Sequence, residues 1–108
     1  MLYEGRAFHP SLLKEMLAGV PAELGPEAKY GMGVIIRPTA LGPSYGHSGF
    51  FPGYLTEVMY FPQSRIAIAV QVNTSAPRAT GRPLSSVIIE LAKVILADTA
   101  SENRAAAC

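Results

Sequence analysis

With 108 residues, 9 Lys plus Arg against 8 Asp plus Glu and a net charge of +1, the chain has room for one compact domain and not for two. Its 49% apolar and 16% charged content is too hydrophobic for a disordered tail, and the near balance of charge leaves no single-sign field to draw nucleic acid or an acidic membrane surface. What remains is a folded domain near the small end of the size range, where every missing partner surface matters.

In chain order, residues 1–10 mix Glu4, Arg6 and His9 among apolar neighbours, whereas a secretory leader needs a basic start and an unbroken apolar stretch. No signal peptide is read, so the chain as written is expected to stay in the cytoplasm where it is made. Residues 10–19 place Leu12, Leu13, Met16 and Leu17 on one helical face, with Pro10 suited to the first turn and Gly19 to the C-terminal cap. Residues 20–29 hold Pro21, Gly25 and Pro26, which break regular structure, and are expected to form an exposed loop.

Four short runs rich in β-branched and aromatic residues follow, each fenced by Pro, Gly or Ser: 30–37, 45–49, 54–61 and 66–73. They predict an antiparallel meander, with a tight hairpin at 62–65 and a longer connection at 38–44. The last run alternates Ile66, Ile68, Val70 and Val72 with Ala67, Ala69, Gln71 and Asn73, so a helix is expected to lie close on its alanine side. That run is also the longest strongly apolar stretch, far short of the roughly 20 residues a membrane-spanning helix needs.

Residues 83–98 carry Leu84, Val87, Ile88, Leu91, Val94 and Ile95 at the spacing of one helical face, with Pro83 near the start. Residues 99–108 lack apolar anchors and are expected to fray as a flexible tail beyond a single 1–98 segment. The single cysteine, Cys108, encodes no disulfide framework, and with two distant histidines a structural zinc site is not expected. No cofactor or metal is called for. The predicted fold class is therefore α/β in the broad sense, of the α+β kind: an antiparallel meander flanked by an N-terminal and a C-terminal helix.

Chemistry concentrates in Tyr45-Gly46-His47-Ser48-Gly49-Phe50-Phe51-Pro52-Gly53-Tyr54. Glycine inside a strand removes a side chain and lets a ligand or another backbone approach, so this strand is either a substrate platform or a bulged strand whose Gly49 and Gly53 serve only the turn. Gly46-His47-Ser48 begins like the Gly-x-Ser-x-Gly nucleophile elbow, but the fifth position is Phe50 and no helix follows, which excludes it. Ser11-Leu12-Leu13-Lys14 is a formal Ser-x-x-Lys match, in which the lysine one turn on would act as base to the serine. The plainer reading is a first-turn serine and a solvated lysine, since a lysine must be desolvated to serve as a base.

Tyr30-Gly31-Met32-Gly33-Val34, the His47-Ser48-Gly49 stretch, Tyr60-Phe61-Pro62 and the 66–73 strand, in that order, resemble the C-terminal part of the serine β-lactamase and D-alanyl-D-alanine carboxypeptidase superfamily. The resemblance is nearest to its class C-like branch with the family VIII esterases, and spans roughly Ser11 to Leu96. It implies a segment of the β-lactamase and transpeptidase-like fold acting on a small-molecule or peptide acyl substrate: a β-lactam, a D-Ala-D-Ala peptide or an ester. It also implies that His47-Ser48-Gly49 takes the place of the Lys-Thr-Gly motif. His47 would then put a polar or cationic group near the nucleophile, Ser48 would bind the substrate carboxylate or amide, and Gly49 would let substrate reach the strand, with Tyr45 and Phe50 beside them.

The family's nucleophilic Ser-x-x-Lys and its Tyr-x-Asn motif have no counterpart at the expected place, and Ser11 and Lys14 align with an ordinary helix. Two functions are therefore carried forward: a serine acyl-transfer hydrolase segment, or a non-catalytic truncated or split-gene module for binding and assembly. The resemblance further implies that strand 66–73 is interior in the family, so here it is expected to pair with a second copy or with a complementing N-terminal polypeptide. Members of the family are often periplasmic or secreted.

Overall fold

The computed structural model describes residues 2–107. Six antiparallel strands lie in one sheet in chain order: β1 (Val20–Pro21), β2 (Lys29–Tyr30), β3 (Ile35–Thr39), β4 (Gly42–Phe51), β5 (Tyr54–Phe61) and β6 (Ile66–Val72). Helix α1 (Pro10–Met16) precedes the sheet; a 3-10 turn at Pro77–Thr80 and the long helix α2 (Leu84–Ala107) follow it. This is the α+β meander with two flanking helices that the sequence predicts, and among the described residues no helix is long and apolar enough to cross a membrane.

The differences from expectation have local causes. Helix α1 stops at Met16, closed by the Leu17 amide donating to the Leu13 carbonyl at 3.0 Å, so Gly19 is not its cap. Glycine serves there for closeness instead, since a Cβ would sit 3.0 Å from Ile36 Cδ1 and 3.1 Å from Lys29 Cβ. The expected loop at 20–29 is a loop only in its middle; its ends pair as β1 and β2, Val20 with Tyr30 and Pro21 with Lys29. Pro21 is tolerated because β1 is an edge strand.

The expected strand at 30–37 is two strands. A turn at 31–34 divides it, with the Gly31 amide donating to the Val34 carbonyl at 2.8 Å and Gly33 at φ 71°. The connection expected at 38–44 is instead the end of a hairpin, with Pro38 opposite Pro43 and Thr39 opposite Gly42, so β4 begins at Gly42 rather than Tyr45.

Helix α2 packs on the other side of β6 from the one expected. Met59, Phe61, Ile88 and Ala92 form the buried core, with Leu41, Ile68, Val70 and Ile89 packed against it, while Ala67 and Ala69 are exposed. The bulky face gains more by burial than the alanine face, so it takes the helix. Leu84, Ile88 and Ala92, four residues apart, are the stripe that α2 buries; Leu91, Val94 and Ile95 of the predicted face remain exposed. The helix also runs on to Ala107 where a frayed tail was expected, because alanine, glutamate and arginine favour helix without needing a core.

Candidate functional site

Strand β4 carries the site, and its register divides the side chains between two faces. Tyr45, His47, Gly49 and Phe51 lie opposite Tyr60, Val58, Thr56 and Tyr54 on the open face; Gly46, Ser48 and Phe50 lie opposite Met59, Glu57 and Leu55 on the face that holds α2. Three of the sequence-selected substrate residues, Tyr45, His47 and Gly49, therefore share a face, and Ser48 and Phe50 turn away from them. The pairing is also unequal along the strand. β4 pairs with β5 as far as Phe51, but with β3 only as far as Gly46 opposite Ile35. From His47 to Phe51 the backbone has no strand partner on the β3 side among the described residues.

His47 is held by both ring nitrogens. Nδ1 lies 2.6 Å from the Ser48 carbonyl oxygen and Nε2 lies 3.0 Å from the Tyr30 hydroxyl, whose ring meets the imidazole edge-on at 5.7 Å. Beside them Tyr3 packs against Tyr45 at 5.4 Å and stacks on Tyr60 at 5.8 Å between centroids. The Tyr60 hydroxyl donates to Glu4 Oε1 at 3.1 Å, and Arg6 and Arg65 both approach the same carboxylate. The Arg6 hydrogen bond, with that from Tyr60, holds the Glu4 carboxyl below its usual range. Desolvation pushes the Tyr3 phenol up, and desolvation with the Glu4 hydrogen bond does the same to Tyr60. The N-terminal segment is thus fastened across the open face.

The three glycines of the stretch do different work. At Gly46 a Cβ would fall 1.8 Å from the Val58 carbonyl oxygen, so only glycine fits. Gly53 turns the β4–β5 hairpin at φ 93°. Gly49 lies mid-strand opposite Thr56 with continuous register and no bulge, and a Cβ there would make only ordinary contact, 3.5 Å from Thr56 Cβ. It adjoins a shallow pocket of about 460 Å³ lined by Phe50, Phe51, Tyr54, Thr56 and Gln71.

Ser48 is exposed and joins a polar cluster built on the buried Glu57. Its hydroxyl donates to Glu57 Oε2 at 2.6 Å, while Arg37 donates to Glu57 Oε1 at 2.5 Å and to Ser48 Oγ at 3.1 Å. Glu57 is 5% exposed, so the pair is compensated inside the fold rather than by water. These groups line a cavity of about 420 Å³ with Ser85 and Ser86 at the start of α2. Ser11 sits in the first turn of α1, 2.8 Å from His9 Nδ1, and Lys14 is exposed in the last turn. Sequence reasoning quoted Tyr30 within a motif without giving it a role, and it missed Arg37 and Glu57. A pair 20 residues apart leaves no local signal; only the register brings it together.

An antiparallel sheet in chain order, with a long C-terminal helix on one face and a histidine-bearing strand half open at its edge, defines the class as a β-lactamase-like α+β fold. A family model described as Beta-lactamase matches residues 3–93, and the chain belongs to that family. Three chains of solved structures match. Among them is a D-stereospecific amidohydrolase from Streptomyces sp., 25% identical, with a TM-score of 0.60 over 68% of this chain and 22% of that one. This chain therefore spans about 22% of the length of that neighbour. No curated protein sequence matches.

Proposed function

We propose that this chain supplies the substrate wall of a β-lactamase-related serine hydrolase acting by acyl transfer on a β-lactam, a D-Ala-D-Ala-type peptide or an ester, with Tyr45, His47 and Gly49 facing the substrate. The observation that carries this reading is the half-paired stretch of β4: among the described residues, 47–51 keep β5 on one side and have no strand on the other. An extended acyl substrate can add there as a strand, its amide hydrogen bonds giving affinity and its side groups selecting by fit. Gly49 supports the same reading, because a Cβ there would make only ordinary contact with Thr56, so steric exclusion does not require glycine. The family match and a neighbour named for D-stereospecific amide hydrolysis agree with it.

The test is affinity for N-acetyl-D-alanyl-D-alanine in the wild type and in Gly49→Val. Valine suits a strand and its Cβ makes only ordinary contact here, so the fold is expected to be kept while the added methyls occupy the substrate's space. The expected result is a loss of about tenfold or more in affinity with unchanged melting; equal affinity in the two proteins contradicts the reading.

A second reading, a non-catalytic assembly module, has one observation in its favour. Among the described residues β6 ends the sheet with an open edge, and Leu91, Val94 and Ile95 of α2, the helix packed on β5 and β6, are 42%, 66% and 43% exposed. In this reading the edge takes a second copy of the chain or a separate N-terminal polypeptide by strand addition. Ligand binding that is absent in the isolated chain and appears only on assembly favours it.

A further inference from the structure

We propose that Tyr30 and His47 form a nucleophile–base pair that accepts acyl groups from activated esters without any serine. The signature of an activated nucleophile is a hydroxyl within hydrogen-bond reach of a base that a third group orients. All three parts are present. Tyr30 Oη lies 3.0 Å from His47 Nε2, and His47 Nδ1 lies 2.6 Å from the Ser48 carbonyl oxygen. A carbonyl oxygen only accepts, so Nδ1 carries a hydrogen, and in the neutral ring Nε2 keeps its lone pair and the Tyr30 hydroxyl donates to it. That is the tautomer a general base toward Tyr30 requires, and the β4 main chain fixes it.

The nucleophile is anchored as well as the base. Tyr30 pairs with Val20 on one side and Ile35 on the other, and the next residue is locked where a Cβ at Gly31 would fall 2.2 Å from the Met16 carbonyl oxygen. The phenol is reachable, since Tyr30 is 37% exposed and His47 is exposed.

In the first step Oη attacks the ester carbonyl, the Tyr30 proton passes to Nε2, the bond to the leaving phenolate breaks, and the proton leaves with it. In the second, water attacks the tyrosyl ester while Nε2 takes its proton; the carbonyl–Oη bond breaks, the proton returns to Oη and the carboxylic acid departs. No co-reactant beyond ester and water is needed. The pair is independent of the substrate-wall reading, because the reagent that tests it has no amino-acid part.

The experiment is brief treatment of the chain with p-nitrophenyl acetate, acid quench, and peptide mapping of the acetyl groups. Tyr54 is an internal control: it is more exposed, at 46%, and bonded to neither histidine among the described residues. General-base help of even the weakest usual size makes Tyr30 acetylate about a hundredfold faster than Tyr54. His47→Gln is expected to bring the Tyr30 rate down to that of Tyr54, and Tyr30→Phe to bring p-nitrophenol release to background. Equal rates at Tyr30 and Tyr54 in the wild type overturn the proposal. So does an excess at Tyr30 that survives His47→Gln, or acetyl found on His47 in place of Tyr30.

Discussion

Neighbouring glycines on one strand, similar in sequence, have opposite tolerance for a side chain. Gly46→Ala forces a methyl into the β5 backbone and is expected to destabilise by about 1–3 kcal/mol or more, the range of overpacked sites. Gly49→Val is expected to leave urea midpoints unchanged or raise them slightly, since glycine in a strand costs roughly 0.5–1 kcal/mol relative to alanine. The Arg37–Glu57 pair gives a further residue-scale test. Arg37→Met leaves a carboxylate stranded and is expected to cost about 3–5 kcal/mol, whereas Arg37→Met with Glu57→Met is expected to recover most of it, both read from urea unfolding. A double variant no better than the single would mean that the loss is one of packing rather than of charge. None of this was visible in the sequence. The resemblance makes Ser48 a substrate ligand through the His47-Ser48-Gly49 motif; alternation along β4 turns successive side chains to opposite faces, and here its hydroxyl donates to Glu57.

At the scale of elements, the N-terminal segment and helix α2 behave differently. The segment is held by Tyr3 and by Glu4 with Tyr60, whose shifts set a pH window. Tyr3 and Tyr60 have raised folded values, so their contribution is complete below the ordinary phenol range and is lost as pH rises past about 10. Glu4 has a depressed folded value, so its contribution is present above the ordinary carboxylate range and fades as pH falls through that depressed value. Release of the segment at alkaline pH is expected to appear as tyrosine fluorescence and near-ultraviolet dichroism changing before the sheet melts. Loss of near-ultraviolet dichroism only together with the far-ultraviolet dichroism of the sheet would contradict it. In α2 the buried stripe is Leu84, Ile88 and Ala92, so Ile88→Ala is expected to cost about 2–5 kcal/mol in urea unfolding, and Leu91→Ala well under that. The helix itself was legible from its apolar spacing. Which part of a wide apolar face meets the sheet was not, because six residues repeat at helical spacing and the sheet covers only part of that arc.

For the whole molecule, the meander was legible because turn residues separate β-branched runs, and each hairpin follows from the one before. The short strands β1 and β2 were not, because two-residue strands exist only through their neighbours. The open edge of β6 and the exposed stripe of α2 bear on assembly. If they serve as the contact proposed above, light scattering of concentrated protein is expected to give a mass above that of one chain, and Ala69→Lys with Val94→Glu is expected to return it to the monomer. A monomer at all concentrations would contradict it.

In the function proposed above, the open edge of β4 beside His47 receives the substrate. Amide chemical-shift mapping during titration with N-acetyl-D-alanyl-D-alanine tests it most directly. The expected result is a contiguous set of shifts at residues 47–51, with smaller ones at Tyr30 and Tyr45. Shifts confined to the α2 face, around Arg37, Glu57 and Ser85, would contradict it.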